Sequence, residues 1–114
     1  MTDAAYVPDA GDLIWVDFNP TLGHEQAGRR PALVVSPAAF SNSTGFALVC
    51  PVTSKVRPFP SSAVLPDGLP VAGEILLSHM RSVDFRARQV RYICVAPPEV
   101  AREVRLKLAR LITI

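Results

Sequence analysis

Several kinds of residue and motif are scarce in this chain, and each scarcity closes a class of explanation. Its only cysteines, Cys50 and Cys94, lie in apolar, strand-like surroundings, which suits two buried, reduced thiols and excludes a disulfide framework. The two histidines, His24 and His79, are far apart, no His-x-x-x-His or paired-cysteine motif occurs, and the carboxylates are not grouped. No metal centre and no cofactor are therefore expected. A glycine-rich nucleotide-binding loop is missing as well. No apolar run approaches membrane-spanning length, and the N-terminus carries acids rather than a cationic segment; a soluble protein of the reducing cytoplasm is expected, with no membrane partner. Lysine and arginine are absent from the first 28 residues, which hold Asp3, Asp9, Asp12, Asp17 and Glu25.

What is present describes one folded domain spanning residues 1–114, with 1–10 as a loose lead-in. Hydrophobic residues make up 49% and charged residues 19%, so no tract is polar enough to stay disordered. The formal charge of +2 excludes little, but its distribution is uneven. Residues 26–66 hold Arg29, Arg30, Lys55 and Arg57 with no acid, and Arg81, Arg86, Arg88 and Arg91 are opposed only by Asp84. Brought together by the fold, these clusters would form a cationic surface suited to a polyanion.

Strand-favouring residues run from Leu13 to Phe18 and end at Asn19-Pro20, with Trp15 read as core rather than ligand. Further strands are expected at 31–36, 46–52, 63–65, 74–77 and 90–95. Pro51 argues for a bulge or an edge near the end of its strand. Ser41-Asn42-Ser43-Thr44-Gly45 reads as a turn, and 78–84 as a segment with a helical turn. After Pro98, the residues Val100, Val104, Leu108, Leu111 and Ile112 recur at steps of three and four, predicting a C-terminal helix. Glu103 precedes Lys107 by four, the favourable order on a helix surface. Leu106 lies off the stripe, which makes it either a candidate contact with a second chain or one of the lone exposed leucines common on protein surfaces. Many short strands joined by Gly/Pro turns predict a mainly β fold, a compact antiparallel barrel with this helix at its end.

The densest polar stretch is Gly23-His24-Glu25-Gln26-Ala27-Gly28-Arg29-Arg30-Pro31. Its glycines allow a tight polar loop. Pro31 biases Arg30 toward extended backbone, which puts the guanidinium at the mouth of a strand rather than on the loop tip.

The ordered set Gly11-Asp12-Leu13-Ile14-Trp15-Val16-Asp17-Phe18, Gly23 to Pro31, and Pro51-Val52-Thr53-Ser54 closely resembles the MazF/PemK (Kid) family of toxin endoribonucleases. The resemblance extends from Gly11 to the C-terminal helix. It implies an SH3-like small barrel of the CcdB/PemK type, homodimerisation, a cognate MazE-like antitoxin with an acidic tail, and contact with DNA only through that antitoxin. It also implies cleavage of single-stranded RNA, giving a 2′,3′-cyclic phosphate or 3′-phosphate and a 5′-hydroxyl. Arg30 and Thr53 match positions the family uses catalytically, and His24 matches a histidine of the PemK/Kid branch.

Such chemistry needs a proton acceptor for the 2′-hydroxyl, charge stabilisation at phosphorus and a donor for the leaving 5′-oxygen. Arg30 offers a fork of donors matched to phosphate oxygens. Thr53 offers a hydroxyl to a non-bridging oxygen. His24, with an ordinary pKa of about 6.5, suits proton transfer near neutrality, and Glu25 suits either orienting Arg30 or His24 or acting as the base. Where Kid-like members carry Arg-x-Asp, this chain reads Leu76-Leu77-Ser78, followed by His79 as a second candidate base. Gln26, Arg29, Ser54, Lys55, Arg57, Phe59, His79, Arg81 and Arg86 are the candidate RNA contacts: polar and basic groups with one ring on which a base can stack. Two rivals share the fold. One is a CcdB-like gyrase poison, whose activity depends on an aromatic C-terminal tip that Leu111-Ile112-Thr113-Ile114 does not supply. The other is an inactive barrel that only binds RNA or a partner.

Overall fold

The computed structural model of the chain describes residues 6–19, 23 and 27–113. Seven strands and two helices follow in the order β1 (Asp12–Asp17), β2 (Arg29–Val34), α1 (Ala38–Thr44), β3 (Phe46–Thr53), β4 (Ser62–Val64), β5 (Glu74–Leu76), β6 (Arg81–Asp84), β7 (Arg91–Val95) and α2 (Pro98–Leu111), with a 3₁₀ turn at Leu77–His79. The strands pair antiparallel. The sheet runs β4-β5-β3-β2-β1-β7, with β6 also on β3. It is barrel-like but open, since the path ends at β4 and β7.

Alternation along the strands distributes apolar side chains to both faces of this sheet. Leu13, Leu33, Cys50, Val52 and Ile75 pack with Val100 and Val104 of α2. Ile14, Val16, Phe18, Ala32, Val34 and Val49 pack instead with Val83 and Phe85. Two cores, one on each face, explain why β1 reads as an almost continuous apolar run. Each Val, Leu, Ile or Phe among them taken fully out of water is worth about 1.5–3 kcal/mol.

Several expectations change once tertiary partners are in place. Ser41–Thr44 belongs to α1 rather than to a turn, with Gly45 closing the helix at φ 80 and donating its N–H to Ser41. The polar run is a poor helix former, but the Asp9 carboxylate accepts the N–H of Ala38 at 2.9 Å, an N-terminal anchor supplied from outside the segment. Pro51 is buried in a central strand and pairs with Ala32. Its missing N–H is tolerated because the far side of β3 changes partner there, from β6 opposite residues 46–49 to β5 opposite Val52 and Thr53. The helical turn is confined to Leu77–His79, and residues 81–84 form β6. Cys94 is only half-buried because β7 ends the sheet path, whereas Cys50 is buried and burial pushes its thiol up to about 12, unreactive at neutral pH. On α2 the stripe is buried at Val100 and Val104, but Leu111 and Ile112 are exposed, as is Leu106. Lys107 pairs with Glu103 at 2.7 Å, as their spacing predicts.

Candidate active site

The registers of four strands place the principal candidates. Val16 pairs with Arg30, and Thr53 pairs with Glu74. The β2–β3 ladder stops at Ala32 opposite Pro51, two residues short of Arg30 on one strand and of Thr53 on the other. Arg30 and Thr53 thus stand where two neighbouring strands open, and Pro31 is what keeps Arg30 extended there. Trp15, opposite Pro31, lines with Pro31 and Val52 an open cleft of about 490 Å³. Arg29, Arg30 and Ser54 also line it, and Pro70, Val71 and Ala72 close one side. Trp15 packs, partly buried, against the core, as expected, and also forms part of the wall of the cleft.

Arg30 is half-buried, and its Nε donates to the carbonyl of Ala27 at 2.7 Å. That bond restrains the plane of the guanidinium, and among the described residues its two terminal nitrogens have no hydrogen-bond partner, which suits them to an anion. The Thr53 hydroxyl accepts the N–H of Lys55 at 3.2 Å, an arrangement that keeps its own proton available to donate. Thr53 is flanked by the lining residues Val52 and Ser54. Beside it, Gly73 has φ 138, and a Cβ there would lie 2.2 Å from the Thr53 carbonyl oxygen.

His24, Glu25 and Gln26 lie outside the described residues. The base of their loop is described. Phe18 donates to Gly28 at 2.9 Å, and Gly28 to the Asn19 side chain at 3.0 Å. Arg88 donates to the carbonyl of Asn19, while Arg29 donates to that of Gln89 at 3.2 Å. The turn between β6 and β7 is thereby fastened to both ends of the loop. Gln89 adopts φ 52, a conformation uncommon for a residue with a Cβ. The fastening role of Arg88 and Gln89 is not legible in the sequence, because carbonyl recognition leaves no trace in residue type.

The remaining candidates are spread around the cleft rather than gathered in it. Lys55, Arg57 and Phe59 are exposed on the loop between β3 and β4. His79 is half-buried on the 3₁₀ turn. Arg81 covers the ring of Phe18 at 5.6 Å, and Arg86 that of Phe85 at 5.0 Å. Both are at cation–π distance, and neither lines the cleft. Glu74, which by sequence is only one residue of a strand, is buried to 1% exposure. It accepts the N–H of Arg57 at 2.7 Å and the hydroxyl of Ser62. Burial pushes its carboxyl up, but the donors from Ser62, Arg57 and Phe59 outweigh it and hold the carboxyl below its ordinary range. Among the described residues no cluster of three or more His, Cys, Asp or Glu is arranged to hold a metal ion, and no helix is long and apolar enough to cross a membrane.

Residues 9–112 match the family described as PemK-like, MazF-like toxin of type II toxin–antitoxin system. The endoribonuclease toxin MazF of Escherichia coli strain K12 is 43% identical over 107 residues, covering 94% of this chain and 96% of the relative. The crystal structure of MazF from Deinococcus radiodurans superposes with a TM-score of 0.90 at 50% identity, covering 96% of this chain and 99% of that one. A MazE–MazF crystal structure from the same organism gives a TM-score of 0.83 at 45% identity, with 96% and 98% covered.

Proposed function

Because this chain belongs to the PemK-like, MazF-like toxins of type II toxin–antitoxin systems, we propose that it is a toxin endoribonuclease that cuts single-stranded RNA by attack of the 2′-hydroxyl on the adjacent phosphorus. The observation that carries this reading is Arg30: its Nε is tied to Ala27, and the residue lines a cleft whose wall includes Val52 and Ser54, the neighbours of Thr53 in the chain. A guanidinium locked in plane presents paired donors to the two non-bridging oxygens, whose charge grows as the 2′-oxygen adds. Thr53 donates its hydroxyl to one of those oxygens. Arginine releases its proton too reluctantly to serve as the acid, so proton transfer falls to His24, Glu25 or His79. The products are a 2′,3′-cyclic phosphate or its 3′-phosphate and a 5′-hydroxyl.

Arg29 and Ser54 at the cleft, and Lys55, Arg57 and Phe59 beside it, supply cations and a stacking ring for the flanking nucleotides. Gln26, Arg81 and Arg86 extend this set. The protein acts as a homodimer in the reducing cytoplasm, where its free thiols persist, and a MazE-like antitoxin with an acidic tail silences it by occupying the cationic cleft in place of RNA.

The reading is tested by incubating the purified protein with a mixed RNA pool and sequencing the ends that carry a 5′-hydroxyl. Recurrent cut sites are expected, at an undiminished rate in excess chelator, because the nucleophile belongs to the substrate. Absence of cutting, or cutting abolished by chelator and restored by a divalent ion, overturns it.

Thr53→Val preserves shape and removes the hydroxyl. It is expected to lower kcat by about 10²-fold, the scale of one missing oxyanion donor, with little change in RNA affinity. Single-turnover cleavage and binding of an uncleavable RNA separate the two; equal losses in both would assign Thr53 to binding instead.

A further inference from the structure

The buried carboxylate of Glu74 takes no part in the chemistry proposed above, and its surroundings are unusual for a group of its type. It sits on β5 at 1% exposure, in a strand position where an apolar side chain would be the usual choice. Among the described residues it has no salt-bridge partner within 4.0 Å. Donors compensate it instead. Arg57 gives its N–H to one oxygen at 2.7 Å, and Ser62 gives its hydroxyl to the other. Ser62 in turn accepts the N–H of Phe59 at 3.0 Å, and its carbonyl accepts Lys107 of α2 at 2.7 Å.

Every one of the donors to Glu74 and to the Ser62 hydroxyl belongs to, or borders, the loop between β3 and β4. Past Lys55, whose N–H is taken by Thr53 at 3.2 Å, the bonds that tie the loop's middle to the sheet run through Glu74 or its partner Ser62. The loop's side chains stand out from the surface: Lys55, Arg57 and Phe59 are exposed, Phe59 to 59%. One buried carboxylate therefore fixes the backbone from beneath while two cations and a ring stand free above it. Glu74 is also the register partner of Thr53, so the same residue ties the loop to the strand end that carries the reactive hydroxyl.

We propose that Glu74 is a positioning residue: by holding the backbone of Arg57 directly and of Phe59 through Ser62, it preorganises the β3–β4 loop as a rigid arm for the nucleotides flanking the cut. This rests on the reading of the chain as a ribonuclease. Its consequence is a division of labour in which Glu74 governs how tightly RNA is held and Arg30 and Thr53 govern how fast it is cut. An arm already in its bound shape loses less conformational freedom when RNA arrives, and that difference appears as affinity.

The test compares wild type with Glu74→Val, Glu74→Gln and Ser62→Ala on a single-stranded RNA containing a mapped cut site, and on its 2′-deoxy, uncleavable analogue. For Glu74→Val, KM and the analogue Kd are expected to rise about tenfold with kcat within about threefold. The slope of log affinity against log salt is expected to shrink by about 0.7 for each phosphate no longer neutralised, hence by about 1.4 if Lys55 and Arg57 both disengage. Glu74→Gln should recover most of the affinity, since its amide oxygen still accepts from Arg57 and Ser62 can rotate to accept from the amide N–H. Should Glu74→Val fail to fold, Ser62→Ala, which removes the acceptor of the Phe59 N–H and one donor to Glu74 but leaves the bond from Arg57, must still raise KM. In wild type the Arg57 amide must exchange with solvent far more slowly than an unprotected amide. Unchanged KM and salt slope in a folded Glu74→Val, or unchanged KM in Ser62→Ala, or an unprotected Arg57 amide, overturns the proposal. Wild type that cuts no RNA overturns the ribonuclease reading instead, and the exchange of the Arg57 amide judges the preorganised loop separately.

Discussion

Arg30→Ala is expected to reduce RNA cleavage by at least about 10³-fold while leaving thermal unfolding almost unchanged. The loss is large because the guanidinium is held in orientation at the cleft through its bond to Ala27. The fold survives because the residue stands half-exposed near the start of β2 and belongs to neither set of buried apolar side chains. Arg30→Lys makes the sharper test. Lysine keeps the charge but replaces a planar fork with a point ammonium that cannot both hold the Ala27 carbonyl and span two phosphate oxygens. It should recover little of the rate. A lysine variant that cuts at near wild-type rate would show that charge alone suffices and that the clamp geometry is wrong.

The second large effect is expected at a residue without a side chain. Gly73→Ala places a Cβ 2.2 Å from the carbonyl oxygen of Thr53 and 2.9 Å from Val52 Cγ1, at φ 138. The first obstacle is backbone, so it cannot be relieved by rotating a side chain, and the conformation is one that L-residues rarely adopt. Either β5 separates from β3, or Thr53 is pushed from its place. A destabilisation of about 2–4 kcal/mol is expected, scaled from overpacked cores and strained backbone, together with loss of cleavage in whatever folded protein remains. Denaturant unfolding and single-turnover cleavage of the folded fraction check the two parts. A variant that unfolds at the wild-type midpoint and cuts normally would show that the strands separate there without cost.

Glu74 and Gly73 differ from Arg30 and Thr53 in how they can be found. Arg30 and Thr53 sit in strings of side chains and prolines whose local conformational preferences are written in the residues themselves. The MazF/PemK resemblance is carried by those strings. Gly73 and Glu74 acquire meaning only from what lies across the sheet, a carbonyl on β3 in one case and the β3–β4 loop in the other. Arg29 shows both sides: its place beside Arg30 and Pro31 is legible, but its bond to Gln89 joins residues distant in the chain.

Local elements and their chemistry follow from the order of residues alone. β-Branched and aromatic runs specify strands, Pro98 and the apolar spacing specify α2, and Pro31 commits Arg30 to an extended strand mouth, because each depends on interactions within a few residues. Helix α1 is different: the Asp9 carboxylate supplies a terminus that Ser41-Asn42-Ser43 does not encode, and it reaches Ala38 only once the chain has folded. The burial of Pro51 is likewise a tertiary outcome, tolerated where β3 exchanges β6 for β5. So are the registers that pair Arg30 with Val16 and Thr53 with Glu74, since strand register is a property of pairs of segments and is fixed when both apolar faces must be buried at once.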